Sequence, residues 1–205
     1  VIILACNTSC GESLSNLYLG GFLIEIFPNK AILGVIEPVA LLVSERVKKD
    51  EKIAVIGTIS TIRSGGYRKA LKKLGLENVI ERATPLLAPL VETGVVEGAM
   101  AEHIIAEAFS PLTKQGISTV VLGCTHYYFL RDTIEKLYPH LKLLDASEAF
   151  PPYFKKFLEL KPEYEGALKK GNEPRFYTTD EEDDFARFVE KTLGLFIKPE
   201  QIKLP

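Results

Sequence analysis

The chain has 205 residues, 46% hydrophobic and 25% charged, with 25 Lys and Arg against 27 Asp and Glu and a net charge of −2. That composition fits a globular protein with a sizeable core, and its balanced charge argues against nucleic acid or an anionic membrane as a partner. No apolar run reaches the ~18 residues of a membrane span, the first residues carry no basic secretion-signal segment, and three cysteines are too few for a disulfide framework, which predicts a cytoplasmic protein with free thiols.

In chain order, Val1 to Ala5 reads as a buried strand that delivers Cys6, Asn7 and Thr8 at its end. Ser9 to Leu19 has helical spacing, broken by Gly20-Gly21. Ala31 to Ile36 is a second apolar run closed by Glu37-Pro38, and Val39 to Lys49 is a helix. Ile53 to Ile56 is a strand closed by Gly57-Thr58. Ser60 to Leu74 is a helix despite Gly65-Gly66, and a short strand follows near Val79 to Ala83. Leu86 to Phe109 is helical in two pieces split near Gly94. Thr119 to Leu122 is a strand leading into Gly123-Cys124-Thr125-His126. Leu130 to Tyr138 is a helix, Leu141 to Leu144 a strand ending at Asp145, and Ala149 to Leu160 a helix. Glu163 to Pro174 is polar and predicts a loop. Arg175 to Thr178 is a last strand, and Asp180 to Leu193 a helix capped by Asp180 and ended by Gly194.

Short apolar strands alternating with helices predict an α/β fold with a parallel sheet covered on both faces. In such sheets the residues just past the strand C-termini face the ligand crevice. Here they are Cys6-Asn7-Thr8, Glu37-Pro38, Gly57-Thr58, Cys124-Thr125-His126 and Asp145. Two of these sites echo each other: ILACNT and VLGCTH both run strand, small residue, Cys, then Thr. The echo suggests two related half-domains, each presenting one thiol where a helix N-terminus lowers a thiol pKa.

His126 stands two residues from Cys124 and, on an extended backbone, shares its face, near enough to exchange a proton. Asn7, Thr8, Thr58, Thr61 and Thr125 supply neutral hydrogen-bonding groups suited to a carboxylate or phosphate, or to helix caps. Glu92 lies before a glycine break, where a solvated helix end is the plain alternative. His103 and His140 read as surface residues. A zinc site from Cys6, Cys10, Cys124 and His126 would need four ligands to converge from two half-domains, so no metal is expected. A cysteine-phosphatase loop fails because Glu12 and Leu130 stand where its arginine belongs, and no phosphate-binding glycine fingerprint occurs. Two thiols facing each other across a small acid would instead suit proton removal at one face of an α-carbon and delivery at the other.

The runs ACNTSC, GVIEPV, VIGTISTIRSGGY, PLLAPLVETGVVEG, VLGCTHYYFL, DASEA and FYTTD, in this order, resemble bacterial glutamate racemase of the aspartate/glutamate racemase superfamily. The His after the second Cys-Thr favours the glutamate branch. The resemblance implies two pseudo-symmetric half-domains, each a mainly parallel sheet flanked by helices, with the active site in the cleft between them. The first would comprise residues 1–34 plus 145–205, the second residues 35–144. It implies a cytoplasmic isomerase that interconverts L- and D-glutamate without pyridoxal phosphate or another cofactor, supplies peptidoglycan synthesis and so cell shape, and leaves room for a homodimer. By the resemblance, Cys6 works on the α-proton of the D-isomer and Cys124 on that of the L-isomer. His126 and Glu92 would be auxiliary acid–base residues paired with Cys124. Asn7, Thr8, Thr125 and His126 would hold substrate, with Thr58 and Thr61 near it.

In the family, two strand–helix units precede the CNT strand and carry an Asp-Ser pair and a Pro-Tyr-Gly turn. The chain is therefore expected to be a racemase lacking its N-terminal segment, including the auxiliary Asp beside Cys6. Cys10, Tyr128 and the long stretch between Cys6 and GVIEP depart from the family pattern. The alternatives are a racemase for another acidic amino acid, and a non-catalytic remnant that binds a partner. An in-frame Asp-Ser-Gly strand upstream would argue against the remnant.

Overall fold

A computed structural model of the chain describes residues 1–14, 25, 29–168 and 173–203. Its strands are β1 (Ile2–Leu4), β2 (Ile32–Gly34), β3 (Ile53–Gly57), β4 (Val79–Ala83), β5 (Thr119–Gly123), β6 (Lys142–Leu144), β7 (Tyr177–Thr178) and β8 (Glu200–Gln201). All pairings are parallel. β1 pairs with β2, β7 with β8, and a four-stranded sheet runs β4-β3-β5-β6. Between the strands lie helices, as the alternating pattern predicts.

The central strands β3 and β5 are buried at every position, because helices cover both faces of the sheet and leave no side for polar residues. Alternate residues enter opposite cores. Ala54, Ile56, Val120 and Leu122 join Phe109, Ile105 and Leu90 on one face. Ile53, Val55 and Val121 join Val39, Val43, Tyr67 and Leu71 on the other. The helix Ile36–Arg46, which follows β2, thus packs on the four-stranded sheet through Val39 and Val43.

Several local details depart from the expected elements. The predicted helix over Ser60 to Leu74 is two helices, Ile59–Ser64 and Gly66–Lys73, because Gly65 takes a left-handed conformation at φ 62°. After Cys6 the chain makes a three-residue helical turn, Asn7–Ser9, and then a wide π-helical turn, Cys10–Leu14. The rest of the predicted helix to Leu19, and the Gly20-Gly21 break, lie outside the described residues. Within the predicted loop Glu163 to Pro174, Pro162–Ala167 is helical, with Pro162 at its first position, where a missing N–H is harmless. The last helix is Glu182–Leu193, so its cap is Glu181 rather than Asp180; Gly194 ends it at φ 65°. Asp145, not a later residue, opens the helix Ala146–Leu160, accepting from the Ser147 N–H at 2.8 Å.

Where β3 and β5 run side by side, Gly57 pairs with Gly123. A Cβ on Gly123 would lie 2.6 Å from the Ile56 carbonyl oxygen and 3.1 Å from the Tyr67 ring. Gly123→Ala must therefore push the two strands apart. It is expected to destabilise the fold by about 1–3 kcal/mol, the usual cost of overpacking, and urea unfolding monitored by circular dichroism measures it. An unchanged midpoint would show that the strand ends are not so tightly held.

Candidate active site

The two cysteines of the sequence echo occupy equivalent positions. Each ends a strand and serves as the residue before a helical turn, with closely similar extended backbones: φ −136°, ψ 123° at Cys6 and φ −146°, ψ 134° at Cys124. Their surroundings differ. Cys6 is exposed, whereas Cys124 is 8% exposed. Burial pushes the Cys124 thiol up to about 11, helped by the nearby Cys6 and Glu92 and opposed by the backbone N–H groups of His126 and Tyr127. This corrects the expectation of a lowered thiol pKa at that strand end. The turn Thr125–Leu130 is a short 3-10 helix, and its few N–H groups do not offset desolvation. In the resting protein Cys124 is a neutral thiol.

Beyond Cys124 lies a chain of polar contacts. The Cys124 Sγ is 3.8 Å from His126 Nδ1, and His126 Nε2 is 3.3 Å from Glu92 Oε1. With the carboxylate accepting the Nε2 proton, Nδ1 is left as the acceptor that faces the thiol. His126 reaches Cys124 from a helical turn rather than from an extended strand. Glu92 comes from the end of the helix Leu87–Glu92. The Phe188 ring of the last helix lies 5.9 Å from the imidazole and covers it on one side; nothing in the spacing of the sequence pointed to that contact.

On the Cys6 side three threonine hydroxyls form a triangle. Thr8 Oγ1 lies 2.8 Å from Thr58 Oγ1 and 3.1 Å from Thr61 Oγ1, and Thr58 and Thr61 are 2.9 Å apart. Thr58 also caps its helix by accepting from the Thr61 N–H at 3.1 Å. Thr61 is fully buried, so its hydroxyl acts on the site through Thr8 and Thr58, both half-buried. Asn7 is 2% exposed. Its Oδ1 accepts a 2.6 Å hydrogen bond from the Tyr67 hydroxyl, while its Nδ2 has no partner among the described residues. A buried amide donor left unpaired costs about 1–3 kcal/mol, which a ligand acceptor would recover.

A cavity of about 360 Å3 opens beside Cys124 and Thr125, walled by Ile3, Val35, Leu122 and Phe150. It meets Cys124 but not Cys6, Asn7 or Thr8, so it forms an apolar flank of the site rather than the polar cradle. Two other strand-end residues are otherwise occupied. Asp145 binds Arg131 at 2.7 Å and caps a helix, and Glu37 accepts from the Tyr153 hydroxyl at 3.3 Å. Cys10 is buried, donates to the Leu4 carbonyl at 3.0 Å and accepts from the Val35 N–H at 3.3 Å, which ties the ends of β1 and β2 together. Among the described residues no group of three or more His, Cys, Asp or Glu is placed to hold a metal ion, and no helix is long and apolar enough to cross a membrane. His103 and His140 lie on the surface.

The unequal burial of the thiols is open to a direct check. Iodoacetamide attacks thiolates. At neutral pH it should label Cys6 before Cys124, and Cys124 labelling should climb as pH rises toward about 11. Glu92→Gln should shift that climb to lower pH by removing a neighbouring negative charge. Peptide mass spectrometry reads both, and equal labelling of the two cysteines at neutral pH would contradict the assignment.

Comparison with known proteins bears on the family and the fold. The Asp/Glu/hydantoin racemase family model matches residues 23–150. A glutamate racemase of Persephonella marina is 34% identical over 203 residues, covering 99% of this chain and 73% of that protein. A crystal structure of a glutamate racemase isoform from Bacillus anthracis superposes with a TM-score of 0.83 at 33% identity, covering 99% of this chain and 73% of the other. A glutamate racemase from Francisella tularensis, solved in complex with D-glutamate, superposes with a TM-score of 0.79 at 25% identity, covering 100% of this chain and 73% of that one.

Proposed function

The chain belongs to the Asp/Glu/hydantoin racemase family, and on that premise we propose that it interconverts L- and D-glutamate by moving the α-proton between two thiols, without an added cofactor. The observation that carries this reading is the line of contacts from Glu92 through His126 to Cys124, set against a second thiol at the matching strand end. Starting from L-glutamate, a Cys124 thiolate takes the α-proton and the electron pair stays on the α-carbon. The Cys6 thiol then gives its proton to the opposite face. The product is D-glutamate, and the thiol and thiolate have exchanged places. From D-glutamate the same steps run in reverse.

This division of labour makes sense of the neutral Cys124. A resting thiol is ready to donate, which is the step that completes L-glutamate from the D-isomer. To begin from L-glutamate, the proton must first leave Cys124, and His126 Nδ1 at 3.8 Å is the acceptor at hand. Glu92 on the far nitrogen stabilises the imidazolium that results. The Asn7 amide and the hydroxyls of Thr8 and Thr125 provide uncharged donors for the substrate carboxylates, with Thr58 and Thr61 holding Thr8 in place. D-glutamate made this way would serve peptidoglycan synthesis in the cytoplasm.

Circular dichroism of glutamate incubated with the protein should decay toward zero from either isomer without pyridoxal phosphate. In deuterated water Cys124→Ser should lose α-proton exchange from L-glutamate, and Cys6→Ser from D-glutamate. His126→Asn should slow racemisation by roughly 10²–10⁴-fold, the usual contribution of a placed acid–base group. Full racemisation with either cysteine replaced would refute the two-thiol mechanism.

A further inference from the structure

Tyr67 takes no part in the proposed proton transfers, yet it touches the neighbour of each thiol. It lies on the helix Gly66–Lys73 and is 1% exposed. Its ring packs so closely on Gly123, the residue before Cys124, that a Cβ there would come within 3.1 Å of it. Its hydroxyl donates to Oδ1 of Asn7, the residue after Cys6, at 2.6 Å.

This bond decides which way the Asn7 amide faces. Asn7 Oδ1 is the acceptor the structure gives the phenolic proton. If the amide were flipped, Nδ2 would donate to the Tyr67 oxygen, and the phenolic proton would be left buried without an acceptor. The observed orientation satisfies Tyr67 and leaves Nδ2 as a buried donor with no partner among the described residues. Burial also holds the phenol far above its ordinary pKa, so it remains a donor throughout the physiological range. An N–H donor matches a carboxylate oxygen. It does not match the substrate ammonium, which has no lone pair to offer.

We propose that Tyr67 is a positioning residue for substrate recognition: by holding Asn7 Oδ1, it commits Asn7 Nδ2 to a carboxylate of the amino-acid substrate. The inference rests on the reading above in which Asn7 contacts substrate. It adds that the selection of carboxylate over ammonium at this point is fixed by a tyrosine sixty positions along the chain.

The test uses the purified chain with D-glutamate, reading binding by calorimetry and KM and kcat by circular dichroism. Tyr67→Phe keeps the ring and removes only the hydroxyl. It should weaken D-glutamate binding and raise KM by about three- to tenfold, the range for one lost hydrogen bond, with a smaller change in kcat. Asn7→Ala should raise KM at least as much, and adding Tyr67→Phe to Asn7→Ala should raise it no further. Should Tyr67→Phe lower thermal stability yet leave binding and KM unchanged while Asn7→Ala raises KM, the tyrosine is only structural and the proposal is overturned. If Asn7→Ala itself leaves binding and KM unchanged, the assignment of Asn7 to substrate fails, and the proposal fails with it. Asn7→Asp keeps the Tyr67 bond but turns an oxygen toward the carboxylate, so it should abolish binding in a folded protein; undiminished binding would also overturn the proposal.

Discussion

The close approach of β3 and β5 at their C-terminal ends governs the geometry around Cys124. Gly57 and Gly123 lie side by side in register, and the space beside Gly123 is already taken by the Ile56 carbonyl and the Tyr67 ring. Two side chains smaller than methyl are what the packing permits. Because the strands end together, Thr58 and Cys124 leave the sheet at the same level. Because Tyr67 is wedged against that end, its hydroxyl reaches Asn7 on the neighbouring β1 segment. A backbone contact within one sheet therefore sets the relation between a thiol on that sheet and polar groups on another.

The cores on either side of the sheet explain how that precision is sustained. β3 and β5 are apolar at nearly every position because both faces are covered by helices. The polar groups they carry are confined to their ends. Thr119, buried at the start of β5, is satisfied by the Glu51 carboxylate at 2.5 Å. At the C-terminal edge of the same sheet Thr84, the residue after β4, is satisfied by Tyr127, whose hydroxyl lies 2.8 Å from the threonine hydroxyl and also donates to its carbonyl at 2.9 Å. Tyr127 follows His126 directly, so this buried bond also fixes the turn that carries the imidazole.

Much of this was legible in the sequence, for reasons tied to individual residues. The run IAVIG before Thr58 and TVVLG before Cys124 announce buried strands because continuous apolar stretches closed by glycine have few other uses. The pairing of Cys124 with His126 was visible from their spacing, though the local backbone is a 3-10 turn rather than the assumed strand. Glu92 was named through the family resemblance, since nothing in its own surroundings marks a helix-end carboxylate as distinct from a solvated one. Tyr67 closes the run VIGTISTIRSGGY with no role attached to it there, because its polar partner is brought close only by tertiary packing. The direction of the Cys124 pKa was misread because sequence shows the turn that would lower it but not the burial that raises it.

The two thiols stand in unequal settings, one exposed and one buried, yet the mechanism proposed for them joins two ends that are mirror images. Mirror images have equal free energies in water, so the equilibrium constant is unity whatever the protein does. By the Haldane relation, kcat/KM must then be the same for both enantiomers. Any bias built into the resting proton on Cys124 must surface as a compensated pair: the isomer with the lower KM is also the one with the lower kcat. An asymmetric site can thus set how saturation differs between the two isomers, but it has no means to enrich either of them. A net flow toward one hand of glutamate has to be drawn by a separate reaction that removes it.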